Sequence, residues 1–229
     1  MEILSCENVA FKYNESTDYA IYDCTFSVKK GEKIMLCGAS GSGKSTLLRL
    51  LKRELSPRGE LSGSITLMGK DRSELSDRES AEKIGFVMQS PDSQTVCDKV
   101  SAELAFGLES FGVKSGEIQS RVGEMAAFFG IEPLYDRDIS TLSGGQKQLV
   151  ALCSVMVTDP DILLLDEPTA QLDPVAAREL LGILDRLNKE MGVTIIIAEH
   201  DPEELFDSCD KILYLAKGKT CLLYTSPSP

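Results

Sequence analysis

The sequence predicts an α/β fold in which a mostly parallel sheet is interrupted by an inserted lobe of helices. Short apolar runs typical of buried strands alternate with segments of helical periodicity. One long stretch, about residues 90–157, carries helical patterns with few strand signals. The chain has 229 residues, of which 42% are hydrophobic, and this suits one α/β domain with such an insertion.

The strands are predicted from apolar or alternating runs bounded by turn formers. Two of them, residues 3–9 and 20–28, open the chain and are joined by a polar loop. Two others, residues 161–165 and 193–198, are the most apolar, which indicates full burial. The remaining strands are predicted at residues 33–37, 64–68, 84–88 and 211–215.

Helical periodicity is clearest over residues 175–191, where Asp173 and Pro174 supply start signals. The apolar stripe of this helix consists of Leu180, Leu184, Leu187 and Met191. Other helices are predicted to begin near Lys44 and to cover residues 101–111, 115–129 and 143–157. Residues 220–229 lack periodicity and end in turn formers, so a disordered or non-native tail is predicted there.

Composition narrows the classes of function. The net charge of −12 argues against a nucleic-acid-binding face, because neutralising phosphates requires clustered Lys and Arg. No apolar run is long enough to span a bilayer, and the first residues do not resemble a signal peptide. The seven cysteines show no Cys-x-x-Cys pair, which fits reduced thiols. We therefore expect a cytoplasmic protein whose membrane role, if any, depends on a partner.

Residues 38–46 read Gly-Ala-Ser-Gly-Ser-Gly-Lys-Ser-Thr and match the phosphate-loop pattern G-x-x-x-x-G-K-[S/T]. Such a loop binds phosphate through backbone N–H groups and a helix N-terminus. Lys44 is expected to reach the β- and γ-phosphates of ATP, and the Ser45 hydroxyl to hold Mg²⁺. The candidate ATP-binding residues here are Gly38, Ser40, Gly41, Ser42, Gly43, Lys44, Ser45 and Thr46. The alternative is a flexible Gly/Ser turn.

Two acids follow the apolar strand at residues 161–165. Open α/β sheets bind ligands at the carboxyl ends of their strands, so these acids are expected at the site. Asp166 is the candidate ligand of Mg²⁺, and Glu167 is the candidate general base for the water that attacks the γ-phosphate. The alternative is a solvated acidic turn before Pro168.

The segment before this strand reads Leu142-Ser-Gly-Gly-Gln146 and is similar to the signature motif of ATP-binding cassette (ABC) ATPases. The resemblance covers about residues 1–219. It implies a P-loop NTPase (RecA-like) core with an N-terminal antiparallel β-subdomain and an inserted α-helical subdomain. It also implies that Ser143, Gly144, Gly145 and Gln146 face the γ-phosphate bound by a second ATPase subunit. A loop with a helix cap is the alternative.

Four further residues match positions of the family. Gln89 resembles the Q-loop glutamine, which contacts Mg²⁺ and a coupling partner, although it could be a plain polar loop residue. Asp173 resembles the D-loop aspartate and also suits a helix N-cap. His200, the only histidine, resembles the switch histidine that contacts the γ-phosphate, whereas a lone histidine is usually structural. Tyr13 resembles the aromatic residue that stacks on adenine, with an exposed loop tyrosine as the alternative.

Residues 89–94 read Gln-Ser-Pro-Asp-Ser-Gln and resemble the Q-loop of energy-coupling-factor (ECF) importers, and residues 101–109 and 111–113 also resemble that branch. Those systems import vitamins or transition-metal ions. They pair two such ATPases, alike or different, with a transmembrane coupling protein and a substrate-binding membrane protein. The resemblance implies a location on the inner face of the cell membrane.

Two other functions are considered. A soluble ABC ATPase acting on nucleic acid or ribosomes commonly carries two cassettes or a long coiled-coil insertion, whereas this chain shows one cassette, no heptad run and strong negative charge. A degraded cassette that only regulates is disfavoured because Lys44, Asp166, Glu167 and His200 are all present.

Overall fold

The computed structural model describes residues 1–200 and 205–224 of the chain. Within these residues the strands are β1 (Glu2–Tyr13), β2 (Ile21–Lys29), β3 (Lys33–Cys37), β4 (Gly59–Leu67), β5 (Lys70–Asp71), β6 (Ile84–Val87), β7 (Ile162–Asp166), β8 (Thr194–Glu199), β9 (Lys211–Ala216) and β10 (Lys219–Tyr224). The helices are α1 (Lys44–Leu51), α2 (Asp77–Lys83), α3 (Val100–Ser110), α4 (Ser115–Phe129), α5 (Gly144–Met156) and α6 (Pro174–Met191).

The strands form two sheets. The first is antiparallel, with the order β2-β1-β4-β5. The second has the order β10-β9-β3-β8-β7-β6, and its strands from β9 to β6 run parallel. Helices α3, α4 and α5 lie between β6 and β7 in the chain, as an insertion into the parallel sheet. The predicted fold class, with its antiparallel subdomain and inserted helices, is confirmed.

The parallel sheet has apolar side chains on both faces, which is why its strands are continuous hydrophobic runs. In β7, Leu163 and Leu165 pack with the inserted helices and α6, whereas Ile162 and Leu164 pack with α1 and the antiparallel sheet. The same alternation holds along β3 and β8. The sheet is thus fixed from both sides, and the loops at its carboxyl ends start from rigid strands.

The disorder predicted from residue 220 does not hold for residues 220–224, which form a strand, while a non-native tail stays a prediction. Strand β10 pairs with β9 from Lys219↔Ala216 to Tyr224↔Lys211. Lys217 and Gly218 both have positive φ, 48° and 78°, which is the backbone of a tight two-residue hairpin turn. A Lys-Gly pair between two apolar runs could have indicated this hairpin. Residues 225–229 of the predicted tail lie outside the described residues.

Helix α2 was not predicted because its seven residues, Asp-Arg-Glu-Ser-Ala-Glu-Lys, carry no apolar stripe. It is defined by its ends instead. The Ser76 hydroxyl accepts a hydrogen bond from the Glu79 N–H, and the Glu79 carboxylate accepts one from the Ser76 N–H. This capping box satisfies two backbone donors at the helix start. In the described part of the chain, no helix has the length and apolarity that crossing a membrane requires.

Candidate functional site

Four neighbouring strands deliver the candidate catalytic residues to one edge of the parallel sheet. The phosphate loop follows β3, His200 follows β8, and Asp166 ends β7 with Glu167 directly after it. Gln89 lies two residues beyond the end of β6. Because β3, β8, β7 and β6 are adjacent and parallel, their carboxyl ends converge. The fold therefore brings together segments that are far apart in the sequence.

Lys44 lies at the centre of this cluster and is 4% exposed. Its Nζ donates to the Gly38 carbonyl at 2.8 Å and lies 3.4 Å from Glu167 Oε1. Helix α1 begins after Gly43, which has no side chain to cap it. The first N–H groups of this helix have no partner within the helix, so they are available to an anion. The loop thus presents a buried cation beside an uncapped helix start.

Two different structural constraints favour glycine in the phosphate loop. Gly41 has a φ of +75° and open space around its missing Cβ, so the backbone conformation alone favours glycine. A Cβ on Gly38 would lie 2.3 Å from the Leu215 carbonyl oxygen, and one on Gly43 would lie 2.6 Å from the Ala20 carbonyl oxygen. Close packing against the protein's own backbone therefore requires glycine at these two positions, beyond any need to approach phosphate.

Asp166 and Ser45 form the candidate Mg²⁺ site. The Ser45 hydroxyl donates to Asp166 Oδ1 at 2.7 Å, and Asp166 is 5% exposed. Burial raises the pKa of Asp166 above its usual value, and the nearby Glu167 charge adds to this effect. A divalent cation would relieve both contributions, and a hydroxyl with a carboxylate is the oxygen donor set that Mg²⁺ prefers.

Two further observations fit nucleotide and Mg²⁺ together. The Ser42 hydroxyl is buried in the phosphate loop without a hydrogen-bond partner, as expected where a ligand would supply one. Among the described residues, no group of three or more His, Cys, Asp or Glu could hold a metal ion. Mg²⁺ bound here would therefore depend on phosphate oxygens and water for most of its coordination.

Glu167 connects the other candidate catalytic groups. Its Oε2 accepts a hydrogen bond from Gln89 Nε2 at 3.0 Å, and its Oε1 lies 2.8 Å from His200 Nε2. His200 Nδ1 lies 3.5 Å from Lys44 Nζ, so a proton on Nε2 lets the ring donate to Glu167 and accept from Lys44. Glu167 is a non-glycine residue with a φ of +51°. Backbone strain of this kind is concentrated at functional sites.

Tyr13 lies beside the phosphate loop. Its hydroxyl is 2.8 Å from the Thr46 hydroxyl, in the first turn of α1. The ring packs edge-on against Phe11 with centroids 5.0 Å apart, and the residue is 36% exposed. An aromatic surface is therefore available next to the loop, where the adenine of a bound nucleotide would be expected.

The signature segment, residues 143–146, is not brought to the phosphate loop of the same chain. The Ser143 hydroxyl accepts a hydrogen bond from the Gln146 N–H at 3.3 Å, and Gln146 Oε1 accepts one from the Ser143 N–H at 3.0 Å. This capping box begins α5. Among the described residues, no hydrogen bond or ion pair joins this segment to residues 38–46. Ser143 and Gly144 are exposed, and Gly145 and Gln146 are half-buried.

Asp173 lies near the signature segment and caps α6. Its Oδ1 accepts hydrogen bonds from the Val175 and Ala176 N–H groups at 2.9 and 3.1 Å. Those bonds, that from Ala176 above all, hold the pKa of Asp173 below its usual value. Asp173, Ser143, Gly145 and Gln146 line one cavity of about 470 Å³. Ser143, Gly145, Gln146 and Asp173 thus form a second surface, separate from the phosphate loop.

Sequence reasoning missed Glu199, which ends β8 immediately before His200. It is 6% exposed, and its Oε1 accepts hydrogen bonds from the Thr169 hydroxyl at 2.7 Å and the Thr169 N–H at 3.2 Å. An acid at the end of an otherwise apolar strand was the available signal, because an unpaired buried carboxylate is costly.

The family model and the similar proteins indicate the same family. The model of the family described as ABC transporter matches residues 21–170. A Bacillus thuringiensis protein named as an ABC transporter ATP-binding protein is 45% identical over 212 residues, which cover 93% of this chain and 38% of that protein. A Pyrococcus horikoshii protein of the same description is 37% identical over 97% of this chain and 79% of its own length. The chain thus spans about two fifths of the Bacillus relative.

Solved structures agree with these relatives. The structure of cbiO1 from Clostridium perfringens, described as part of the ABC transporter complex cbiONQ, superposes with a TM-score of 0.87 and 35% identity over 96% of this chain and 87% of that one. The ATP-binding cassette MJ0796, a dimer in a post-hydrolysis state bound to ADP and Pi, gives a TM-score of 0.83 and 26% identity over 98% of this chain and 100% of that one.

Proposed function

This chain is an ATPase cassette of the ABC transporter family, and we propose that it is the motor of an ECF-type importer that hydrolyses MgATP at an interface with a second cassette. The observation that carries the proposal is the cluster of Lys44, Glu167, Gln89 and His200 at the phosphate loop. A buried cation, a carboxylate and two hydrogen-bonding side chains in one place are what phosphoryl transfer to water requires.

The geometry supports a role for each of these residues. Lys44 is placed to neutralise phosphate charge, because its ammonium is buried where the dielectric screening is weak. Glu167 is placed to accept a proton from the water that attacks the γ-phosphorus as the bond to ADP breaks. His200 and Gln89 hold this carboxylate through one oxygen each. Mg²⁺ at Ser45 and Asp166 would supply positive charge to the phosphates.

The open signature surface supports pairing with a second cassette. Residues 143–146 form the N-terminus of α5, and a helix N-terminus favours an anion. The phosphate loop of this chain does not lie there. A second subunit would bring its bound γ-phosphate to this position and receive the same in return. The dimer of the related cassette MJ0796 with ADP and Pi is consistent with such an arrangement.

The region after Gln89 supports a membrane partner. Gln94 closes this loop, since its Oε1 accepts from the Met88 N–H at 2.9 Å and its Nε2 donates to the Phe86 carbonyl at 3.3 Å. The hydrophobic residues Val96 and Phe106 are nevertheless 67% and 44% exposed nearby. Exposed apolar side chains beside a shaped loop suit a docking protein. That partner would be a transmembrane coupling protein, itself associated with a membrane protein that binds a vitamin or a transition-metal ion.

ATP turnover by the purified chain tests the chemistry. We expect Mg²⁺-dependent phosphate release that disappears in Lys44→Ala, while the exposed Lys30→Ala, matched in charge change, keeps wild-type turnover. Equal turnover in Lys44→Ala and wild type would contradict the assignment of the site.

Capture of partners tests the importer. The chain is immobilised and exposed to detergent-solubilised membranes of the organism that carries its gene, and bound proteins are identified by mass spectrometry. We expect a helical membrane protein, and Phe106→Glu should weaken its recovery. Recovery of ribosomal or other soluble partners alone would contradict the importer and leave the ATPase standing.

A further inference from the structure

Glu199 occupies a position that the proposed chemistry does not use. It pairs in register with Cys37 of β3, the residue before the phosphate loop, while its neighbour Ala198 pairs with Asp166 of β7. Glu199 is 6% exposed and ends β8, which lies between β3, the strand before the phosphate loop, and β7, the strand before Glu167.

Glu199 joins two segments of the site. Its Oε1 accepts from both the hydroxyl and the N–H of Thr169, two residues after Glu167. Glu199 directly precedes His200, whose Nε2 lies 2.8 Å from Glu167 Oε1. One buried group thus holds the turn that follows Glu167 at the end of the strand from which His200 continues.

We propose that Glu199 is a positioning residue that keeps Glu167 and His200 in hydrogen-bonding register, an inference that rests on the proposed ATPase function. Both segments lie beyond the ends of their strands. The Glu167 N–H donates to the Ala198 carbonyl at 2.9 Å and the Ala170 N–H to the Glu167 carbonyl at 3.2 Å. The first bond joins Glu167 to β8, and Glu199 adds a second connection, through Thr169, between this turn and the end of β8.

A buried carboxylate at this position has a free-energy cost. Burial of a carboxylate opposes its ionisation, and the pKa of Glu199 is raised by burial in the first place and by the nearby Glu167 charge as well. A second negative charge beside a catalytic carboxylate is unfavourable, so a neutral residue would serve stability better. The hydroxyl and the N–H of Thr169 are both directed at Glu199, and these two donors offset that cost. They also connect the turn after Glu167 to the end of β8.

The test separates turnover from binding. Glu199→Ala removes both hydrogen bonds from Thr169, so we expect kcat to fall about tenfold to a hundredfold, because catalytic geometry is sensitive to small displacements. KM and the affinity for a fluorescent ATP analogue should change less than about twofold, because Lys44 and the loop are untouched. Glu199→Gln keeps one acceptor oxygen, which can serve Thr169, and should restore part of kcat.

The partner position gives a second, milder test. Thr169→Val removes the hydroxyl and should lower kcat, whereas Thr169→Ser keeps the hydroxyl and should not. The kcat losses of Glu199→Ala and Thr169→Val should combine to less than their product, because both break one connection. Glu32→Gln is the matched control. Glu32 also accepts a hydrogen bond from a backbone N–H, that of Lys29 at 2.7 Å, but it precedes β3, at the amino ends of the parallel strands and away from the site.

The outcomes are distinguishable. An inactive wild type would refute the proposed function itself. An active wild type with unchanged kcat in Glu199→Ala and Thr169→Val would overturn the positioning role. A lower melting temperature with unchanged kcat per bound nucleotide would equally overturn it, because Glu199 would then act on stability alone. If Glu199→Ala does not fold, kcat of Thr169→Val compared with Thr169→Ser decides.

Discussion

The cluster around Lys44 and the signature segment are built in opposite ways. In the cluster, side chains from four segments contact one another, and Lys44 and Asp166 are 4% and 5% exposed. In the signature segment, the side-chain hydrogen bonds join Ser143 and Gln146 to each other, and all four residues are exposed or half-buried. The two regions contain the family's most specific motifs, yet only the first is assembled within one chain.

This difference indicates a division of labour. Groups that must be held near one another before ATP arrives are fixed by strands of one rigid sheet. A helix N-terminus attracts an anion without partner side chains, so it can lie at the surface and contact a phosphate that another subunit binds. A site completed only by a second subunit would link hydrolysis to association, which suits a motor.

The largest expected effect lies in the assembled region. Glu167→Gln keeps the shape of the side chain but removes the base, and we expect kcat to fall about 10²- to 10⁴-fold. ATP binding should persist, because Lys44 and the phosphate loop remain. Steady-state phosphate release and nucleotide binding measure the two effects, with the exposed Glu124→Gln as a control. Unchanged turnover would show that another group accepts the proton.

The second prediction asks whether the signature segment works on another subunit. Lys44→Ala inactivates the phosphate loop, and Gly145→Asp places a negative charge at the start of α5, so each variant alone should be inactive. In a mixed dimer one site combines an intact loop with an intact signature. We expect turnover to return on mixing, and phosphate release at a fixed total concentration measures it. No recovery would indicate that the second cassette is a different protein.

The third prediction compares two capping boxes. Ser76→Ala and Ser143→Ala each remove a cap, so each should lower the free energy of unfolding by about 1 kcal/mol. Only Ser143→Ala should also lower turnover, by several-fold, because Ser143 belongs to the signature segment and Ser76 begins α2. Thermal unfolding and ATP turnover are measured on both. A loss of turnover in Ser76→Ala would mean that capping alone explains the effect.

The fourth prediction concerns the contact that joins the two regions. Lys147, next to Gln146, lies 2.7 Å from Asp92, three residues after Gln89. The pair is partly exposed and should add little stability, about 0.2–1 kcal/mol. Asp92→Lys should lower turnover up to about fivefold by repelling Lys147, and adding Lys147→Asp should restore it. Turnover that stays low in the swapped pair would show that Asp92 acts through something else.

The smallest expected effect lies outside both regions, in α2, and concerns the pH dependence of stability. Hydrogen bonds from Lys70 and from the Ser76 backbone and hydroxyl hold the pKa of Glu79 down at about 2. A lowered pKa means that the folded state favours the carboxylate, so its stabilisation is present above the unfolded value near 4.5 and is lost as pH falls towards 2.

Glu79→Gln should therefore show a smaller fall in melting temperature than wild type between pH 5 and pH 2. Gln146, which fills the same position in the signature cap, does not titrate, so Gln146→Glu should introduce a pH dependence there. An identical slope in wild type and Glu79→Gln would contradict this account.

Much of the fold was predictable because local pattern and global fold agree. The predicted strand at residues 33–37 matches β3, and the helix at 115–129 matches α4, since apolar periodicity is strong in both. The misses have local reasons. Helix α2 is polar and depends on its caps, and β10 is defined by pairing with β9 through a tight turn.

The sequence by itself determined which chemistry is available: a phosphate loop with Lys44, an acid pair at a strand end, and a capped glycine-rich helix start. These are local patterns, set by residue type and spacing. Only the tertiary structure decided which groups meet. The order of the parallel strands placed Gln89, Glu167 and His200 in one cluster with Lys44, and placed Glu199 at the end of β8, between β3 and β7. Residues 143–146 belong to the inserted helices instead. Such contacts join residues up to 156 positions apart, as Lys44 and His200 are, and no local pattern encodes them.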